Sequence, residues 1–482
     1  MTLKRIATGI EGLDDVLYGG LTPDRLYLVE GMPGSGKTTL AFQFLMEGAR
    51  LGERVLYVTL SETENEIRSV GASHGWSLDG VVIHEAIPTE NSLSPAEQYT
   101  MFHPAEVELG ETTQRVLSEV DQTRPARVVF DSLSELRLLA GNPLRYRRQI
   151  LALKRFFAGR RCTVLLLDDL TAAGRDLQVQ SIAHGAILLE HSIPKYGLQR
   201  RQLSITKFRG SDFRGGYHDY AIRKGGLDVY PRLIASEHPQ TSTRDRLESG
   251  IKEFDTLLGG GIERGTSTLL TGAPGTGKST VAALFAAAAA SRGESASMFI
   301  FDESQMTLFS RMSGLGVNLQ QHVEAGRLAI IQIDPAELSP GEFVHKVREA
   351  VKSRNSSVVV IDSLNGYLNS MPDDHYLTIQ LHELLTYLGQ CSVATILVSA
   401  QHGLIGNMTS PVDASYLADA IVLIRYYESE GEVHQAISVV KKRGGEHERT
   451  IREFRLEKGK VTVGQPLRDF HGVLTGVPQK RQ

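Results

Sequence analysis

Short, unbroken apolar runs alternate along the chain with longer stretches in which apolar residues recur at helical spacing. In the first half, the apolar runs are Leu26–Val29, Val55–Val58, Val128–Phe130 and Val164–Leu167. Runs of this kind are typical of parallel strands that are buried on both faces. Stretches such as Thr39–Arg50 and Pro143–Ala158 lie between them and resemble amphipathic helices. The pattern predicts an α/β fold in which helices flank a mostly parallel sheet.

Each half of the chain ends on two longer extended stretches that are separated by a polar turn. These pairs are Ala186–His191 with Gln202–Phe208, and Ala420–Tyr427 with Val433–Val440. Two apolar extended stretches joined by a short polar segment predict a β-hairpin. We therefore expect a β-hairpin extension at the C-terminal end of each sheet.

The two halves are copies of one another. Thr8–Leu21 reappears as Ser249–Ile262 with an offset of 241 residues, half of the chain's 482. Asp131 and Asp362 keep an offset of only 231, so the first half has ten extra residues, which we expect to form a surface loop within 84–103. A polar linker rich in Pro, Ser and Thr joins the copies. We predict a first domain at 1–234, a linker at 235–246 and a second domain at 247–482.

Each copy contains a match to the phosphate-loop pattern G-x-x-x-x-G-K-[ST], after a strand and before a helix. In such a loop, backbone N–H groups and the helix N-terminus face phosphate oxygens, and the lysine reaches the β- and γ-phosphates. The pattern predicts two nucleotide sites. Their residues are Gly31, Pro33, Gly34, Ser35, Gly36, Lys37, Thr38 and Thr39 in the first copy, and Gly272, Pro274, Gly275, Thr276, Gly277, Lys278, Ser279 and Thr280 in the second.

Carboxylates that suit the chemistry of nucleotide hydrolysis follow two other strands of each copy. Asp131 and Asp362 end buried strands and are predicted to bind Mg²⁺, directly or through its water, together with the hydroxyls of Thr38 and Ser279. An aspartate in that place can instead cap the next helix. Glu62 and Glu303 are the predicted general bases, and Asp302 adds a second acid beside Glu303, where the first copy has Ser61.

A lysine and an arginine lie two residues apart near the end of each hairpin, namely Lys207 with Arg209 and Lys441 with Arg443. Side chains two apart on a strand project to the same side, which gives a cationic pair suited to a γ-phosphate. Because the pairs are far along the chain from their own loops, we expect them to act on the nucleotide of a neighbouring subunit. The alternative is a solvated basic edge that discourages sheet pairing.

Composition limits the class of protein. Hydrophobic residues make up 41% and charged residues 22%, and the formal net charge is −4, which disfavours a strongly basic nucleic-acid binder. The longest apolar run, Val281–Ala290, is about half as long as a membrane span requires, and no apolar signal region opens the chain. Cys162 and Cys391 lie far apart beside apolar runs, so we expect core thiols and a cytoplasmic protein.

Together, the opening motif, the two phosphate loops, the acidic pairs, the Asp-Ser strand ends and the two K-x-R-G hairpins resemble the KaiC family of RecA/DnaB-class ATPases. The resemblance covers roughly residues 5–475. It implies two tandem RecA-like P-loop domains and a two-tier homohexamer with ATP and Mg²⁺ between subunits. It also implies a slow ATPase in the first tier and a serine/threonine autokinase in the second, acting in circadian or stress-type signalling.

The resemblance also places the phosphoacceptor and the partners. The family's Ser-Thr acceptor pair corresponds here to Ser415 and Tyr416, so we expect modification of Ser415, with helix capping or packing as its alternative role. Tyr416 is a second candidate. The chain stops soon after Phe470–Pro478, which leaves little tail for a KaiA-type partner, whereas a KaiB-like partner of the first tier remains compatible with the family.

Two other functions compete with a signalling ring. A RecA- or DnaB-like motor on nucleic acid would need basic loops in a central pore. Lys195, Arg200 and Arg201 surround the first hairpin turn, but Glu428, Glu430 and Glu432 surround the second, which disfavours a strand-tracking pore. The other alternative is an ATP-binding scaffold with little turnover, against which both glutamates argue.

Overall fold

The computed structural model describes residues 4–86, 104–170, 177–238, 245–369, 374–401, 415–475 and 479–480. The chain divides into two compact units, residues 1–232 and 233–482. Most of the predicted surface loop within 84–103 lies outside the described residues. The domain boundaries proposed at 234 and 247 stay a prediction.

The first unit alternates strands and helices and then ends on strands alone. Its helices are α1 (Glu11–Val16), α2 (Lys37–Arg50), α3 (Glu64–Ser73), α4 (Pro104–Thr123), α5 (Leu133–Ala140), α6 (Pro143–Ala158) and α7 (Leu177–Ile182). Its strands are β1 (Leu26–Gly31), β2 (Val55–Thr59), β3 (Val82–Glu85), β4 (Arg127–Asp131), β5 (Thr163–Asp169), β6 (Gly185–Ser192), β7 (Arg200–Phe208), β8 (Tyr217–Arg223) and β9 (Gly226–Tyr230).

The described strands of the first unit form one mixed sheet in the order β3-β2-β4-β5-β1-β6-β7-β8-β9. In this order, the first six strands, β3 through β6, pair in parallel with their neighbours. The last four, β6 through β9, pair antiparallel. Strand β1 lies between β5 and β6, and each of its residues is buried, as its unbroken apolar run predicts. The predicted parallel sheet with a β-hairpin extension is therefore confirmed.

The second unit repeats this plan. Its helices are α8 (Lys252–Leu257), α9 (Lys278–Ser291), α10 (Gln305–Gly314), α11 (Leu319–Glu324), α12 (Pro340–Arg354), α13 (Leu364–Asn369) and α14 (Asp374–Gln390). Two short 3₁₀ helices span Ala235–Glu237 and Val473–Thr475. Its strands are β10 (Arg246–Leu247), β11 (Ile262–Glu263), β12 (Ser267–Gly272), β13 (Ser295–Ile300), β14 (Leu328–Gln332), β15 (Ser356–Asp362), β16 (Ala394–Ala400), β17 (Ala420–Ser429), β18 (Glu432–Lys442), β19 (Arg452–Glu457), β20 (Lys460–Pro466), β21 (Phe470–His471) and β22 (Gln479–Lys480).

The main sheet of the second unit has the same order as the first, β14-β13-β15-β16-β12-β17-β18-β19-β20 among the described strands. Its first six strands are parallel and the rest antiparallel. Strands β10–β11 and β21–β22 form two small separate ribbons. The fold is therefore two tandem α/β units of one topology.

Helices cover both faces of each sheet. In the first unit, α2 packs Phe42 against Tyr57 of β2 with ring centroids 5.0 Å apart. In the second, the Ala-rich stretch Val281–Ala290 is almost entirely buried within α9. Small side chains let this helix lie close to the sheet, which explains a run that is apolar on all sides. Within the described ranges, no helix is long and apolar enough to cross a membrane.

Both cysteines are free thiols. Cys162 is buried in the core of the first unit, and its burial raises the pKa of the thiol to about 12. Cys391 is half-buried and packs against the core of the second unit. The prediction of core thiols is thus confirmed for Cys162 and holds only partly for Cys391.

Acid should destabilise the first unit through His218 of β8. Its fully buried ring accepts the Arg232 N–H at Nδ1 and donates from Nε2 to the Arg214 carbonyl, both at 2.9 Å, and this geometry requires a neutral ring. Burial lowers the pKa of His218 to about 4. Because the unfolded chain binds this proton near pH 6.5, the stability is present above that pH and is lost as the pH falls toward 4, by up to about 3 kcal/mol.

The check is urea unfolding between pH 7 and 4.5, followed by the fluorescence of Trp76, the chain's one tryptophan. His218→Gln should be less stable at pH 7 and should show a shallower pH dependence. The matched control is His471→Gln, since His471 is exposed and lies in the second unit. Equal pH dependence in the wild type and in His218→Gln would contradict the role given to this histidine.

Candidate functional site

The two phosphate loops connect the central strand of each sheet to the helix that follows. Helices α2 and α9 begin at Lys37 and Lys278, and the glycine before each lysine has a φ of +94°. A Cβ on Gly36 would lie 2.6 Å from Ile222 Cδ1, and one on Gly277 would lie 2.7 Å from Leu456 Cδ1. Only glycine satisfies both the left-handed backbone and this lack of space.

Each loop has a buried hydroxyl, that of Ser35 in the first unit and that of Thr276 in the second. The Ser35 hydroxyl is fully buried and has no hydrogen-bond partner among the residues that the structure describes. The equivalent Thr276 hydroxyl donates to the Ala273 carbonyl at 2.9 Å. Together with the N-terminal N–H groups of a long helix, such a loop offers donors to an anion. The other predicted nucleotide residues, Pro33, Gly34, Thr39, Pro274, Gly275 and Thr280, lie in or directly after these loops.

The two loop lysines have different partners. Lys37 donates to the carbonyls of Gly31 and Met32 at 2.9 and 3.1 Å, and forms an ion pair with Asp169 at 2.7 Å. Lys278 donates to the Ala273 carbonyl at 2.7 Å and has no carboxylate partner in the described part of the chain. Its burial lowers the pKa of the amine to about 8. The sequence reasoning missed Asp169, which pairs with Gly31 of β1 across the sheet.

The loop hydroxyl of the first unit lies beside the predicted metal carboxylate. Thr38 donates to Asp131 Oδ2 at 2.8 Å, and the Tyr57 hydroxyl donates to the same oxygen at 2.5 Å. Burial raises the pKa of Asp131, while these two hydrogen bonds oppose the shift. Tyr57 is a contact that the sequence reasoning missed, although its place on the strand next to β4 was a usable signal.

The second unit has the same hydroxyl–carboxylate pair with more negative charge around it. Ser279 is hydrogen-bonded to Asp362, whose pKa is raised to about 6 by burial and by the charges of Glu303 and Asp302. Met298 takes the place of Tyr57, so this carboxylate lacks a phenol donor. Asp302 accepts a hydrogen bond from Ser363 at 2.5 Å.

Glu62 follows β2, and its backbone is fixed while its carboxylate is exposed. The Thr59 hydroxyl accepts the Glu62 N–H at 2.9 Å and donates to the Glu62 carbonyl at 2.8 Å. Within the described residues, the carboxylate makes no hydrogen bond or ion pair. Desolvation, followed by the charges of Asp131 and Glu66, raises its pKa.

Glu303 is half-buried and has a cationic partner. Arg311 of α10 donates from Nε and Nη2 to the two carboxylate oxygens at 3.1 and 2.6 Å, and from Nη1 to the Thr280 hydroxyl at 2.5 Å. The sequence reasoning missed Arg311. The usable signal was the repeat itself, because the offset of 241 pairs Arg311 with Val70.

The cationic pair of the first unit lies away from that unit's loop. Lys207 donates to the carbonyls of Gln180 and Ser181 at 2.5 and 3.1 Å, and Arg209 donates to Ser181 at 2.8 Å. In the sheet, Lys207 is level with Leu28 of β1, three residues or about 10 Å before the loop at Gly31. The pair therefore lies toward the amino ends of the parallel strands, whereas the loop follows their carboxyl ends.

The second unit repeats this separation and adds the acceptor residues. Lys441 donates to the carbonyls of Ser415 and Ala418 at 2.7 and 2.9 Å. Arg443 donates to the Tyr416 carbonyl at 2.5 Å and pairs with Asp419 at 3.3 Å. Ser415 and Tyr416 lie in a turn before β17, and the preceding residues 402–414 lie outside the described part of the chain.

In each unit, then, a phosphate loop after the central strand meets a hydroxyl–carboxylate pair and an acid at the carboxyl end of the sheet. This combination defines a P-loop ATPase of the RecA-like type. The family model described as "ATPase: KaiC" matches residues 6–234 and 247–468. The chain belongs to the KaiC ATPase family.

Relatives with curated names are similar over nearly the whole chain. "Circadian clock protein KaiC3" of Synechocystis sp. is 27% identical over 482 residues, covering 99% of this chain and 95% of that protein. "Circadian clock oscillator protein KaiC" of Thermostichus vulcanus is 26% identical over 490 residues, covering 99% and 92%. The protein of the same name from Prochlorococcus marinus is 25% identical, covering 100% and 96%.

Proposed function

We propose that this KaiC-family ATPase binds ATP with Mg²⁺ at both loops, hydrolyses it slowly in the first unit and uses it for autophosphorylation in the second. The observation that carries the proposal is the pairing of a loop hydroxyl with a strand-end carboxylate, Thr38 with Asp131 and Ser279 with Asp362. Its recurrence at the same sheet position in both units indicates the same ligand in both.

The residues present fit ATP and Mg²⁺. The left-handed glycines Gly36 and Gly277 open the loops to a phosphate, and the buried Ser35 hydroxyl has a free donor. Hydroxyl and carboxylate oxygens are the ligands that Mg²⁺ prefers, so Thr38 and Asp131, or Ser279 and Asp362, would hold it. When bound, Mg²⁺ supplies neutralisation of charge on the β- and γ-phosphates.

For hydrolysis, Glu62 fits the role of a general base, since it follows β2 and its carboxylate has no partner among the described residues. The oxygen of a water forms a bond to the γ-phosphorus while the bond to the β–γ bridging oxygen breaks, which yields ADP and phosphate. The water must lose a proton, and the Glu62 carboxylate, free of partners among the described residues, accepts it. The raised pKa of Glu62 makes it a better acceptor than an ordinary surface glutamate.

The cationic pairs support a ring of identical subunits. Lys207 and Arg209, and likewise Lys441 and Arg443, lie toward the sheet end opposite to their own loop. A γ-phosphate that these cations contact would therefore come from a neighbouring copy. We propose a homohexamer with ATP between subunits, in which the pair completes the neighbour's site from outside, as arginine fingers do.

In the second unit the same arrangement supports phosphoryl transfer to the chain. Ser415 and Tyr416 are tied by their carbonyls to Lys441 and Arg443, so acceptor and cations move together. A γ-phosphoryl group brought in by the neighbouring copy would reach these hydroxyls. The relatives' names place them in the circadian clock, and we propose a cytoplasmic signalling role here, with a KaiB-like protein as partner of the first unit.

Incubation with ATP and Mg²⁺ should place phosphate on Ser415 or Tyr416. The measurement is mass spectrometry of the peptide that contains both residues. Ser415→Ala and Tyr416→Phe assign the site, and Lys278→Ala, which weakens ATP binding in the second unit, should abolish the modification. ATP turnover with no phosphate on this peptide would mean an ATPase without autokinase activity. Stimulation of turnover by single-stranded DNA would instead favour the nucleic-acid motor.

A further inference from the structure

We infer that Arg311 is a positioning residue that restrains Glu303 and makes ATP hydrolysis in the second unit slower than in the first. The inference rests on the proposed function, in which Glu62 and Glu303 are the bases of the two units. It concerns a contact that one unit has and its copy lacks.

Arg311 binds the Glu303 carboxylate through two of its guanidinium nitrogens and a second residue through the third. Nε and Nη2 of Arg311 each donate to a different oxygen of the carboxylate, at 3.1 and 2.6 Å. The remaining nitrogen donates to the Thr280 hydroxyl, in the first turn of the helix that follows the phosphate loop. Both side chains of the ion pair are at least two-thirds covered, at 30% and 23% exposure, so water screens the pair only in part. Glu303 is therefore fixed to the loop helix rather than free to turn.

The copy in the first unit provides an internal comparison. Helices α3 and α10 have the same length and the same offset of 241, and Val70 stands where Arg311 stands. The only arginine of α3, Arg68, pairs with Glu64 at 2.6 Å and leaves Glu62 alone. Since the fold around both glutamates is the same, the guanidinium contact on Glu303 comes from one residue, Arg311.

The restraint has a chemical consequence. A base must offer a lone pair to the proton that leaves the attacking water, and in Glu303 both oxygens already accept N–H groups of one guanidinium. To accept the proton in good geometry, the carboxylate must give up at least one of these bonds. Glu62 has no such bond to give up within the described residues. We therefore expect ATP in the second unit to turn over more slowly than in the first.

The test uses the full chain with Glu62→Gln, so that the remaining hydrolysis reports on the second unit. In this background Arg311→Val should raise kcat for ATP hydrolysis about tenfold and leave KM unchanged. The substitution removes a charged hydrogen-bond donor from the base and not from the nucleotide. Arg311→Lys, which keeps the charge but loses the two-point grip, should give a smaller rise. Adding Glu303→Gln should remove the gain.

The reciprocal exchange makes the same point in the other unit. In a Glu303→Gln background, Val70→Arg should lower kcat, because it places an arginine at the position of α3 that corresponds to Arg311. Arg68→Val, which removes an arginine from the same helix without touching Glu62, is the matched control and should leave kcat unchanged. A fall in kcat on Arg311→Val, or no change, overturns the inference. If Glu303→Gln alone leaves the hydrolysis of the Glu62→Gln chain unaltered, the proposed base has failed instead.

Discussion

Replacing Glu62 with glutamine should lower ATP hydrolysis by the first unit about a hundredfold or more, because glutamine cannot accept the proton of the attacking water. The amide has nearly the same shape, and Glu62 contacts neither the loop lysine nor the hydroxyl–carboxylate pair through its side chain. ATP binding should therefore persist. The effect should appear in kcat and leave KM almost untouched.

The measurement is steady-state phosphate release in a chain that already carries Glu303→Gln, so that the first unit is observed alone. Glu64→Gln is the matched control, since Glu64 lies two residues further on and pairs with Arg68 on the surface of α3. It should keep the wild-type rate. A Glu62→Gln chain that hydrolyses ATP as fast as its parent would show that another group activates the water.

The strands and helices were predictable because the burial of each element determines which of its positions are apolar. The predicted strand Leu26–Val29 became β1, Leu26–Gly31, and the predicted helix Pro143–Ala158 has the same bounds in the structure. The hairpin strands all start and end within two residues of their predicted bounds. The first strand of the second hairpin, β17, continues to Ser429, where the chain turns at Glu430 with a φ of +56°. Continuous apolar runs and polar turns thus determine where the elements lie.

The phosphate loops could be located for a different reason, since their geometry depends on glycines at fixed spacing. Gly36 and Gly277 take the same φ of +94°, which other residues rarely adopt. The repeat offset then pointed to equivalent acids, Glu62 and Glu303. The offset does not predict the hydrogen bonds of the two carboxylates, because it shows which residues are equivalent and not which side chains contact them.

The contacts that distinguish the two sites come from residues distant in sequence. Asp169 reaches Lys37 because β5 pairs with β1, and Tyr57 reaches Asp131 because β2 pairs with β4. Both pairings follow from the strand order, which periodicity does not specify. Arg311 lies only eight residues after Glu303, yet its contact depends on a rotamer and on Thr280 of another helix. Comparing the two copies position by position is the way to find such residues.

Loss of either loop lysine should remove one nucleotide from each chain. Lys37 and Lys278 are the cations of their loops, and replacing either one removes a charge-assisted contact to phosphate. Lys37→Ala and Lys278→Ala should each weaken ATP binding in their own unit about a hundredfold or more. If ATP lies between subunits, Lys37→Ala should also weaken hexamer assembly, which analytical ultracentrifugation would detect.

The most direct test of two ATP sites per chain is therefore a count of bound ATP. Equilibrium dialysis with labelled ATP and Mg²⁺, on a chain that carries both Glu62→Gln and Glu303→Gln to prevent turnover, gives the number of nucleotides per chain. We expect two, falling to one when either Lys37→Ala or Lys278→Ala is added and to none with both. A count of one in the parent chain, or a count that neither lysine changes, would contradict the assignment of both loops as ATP sites.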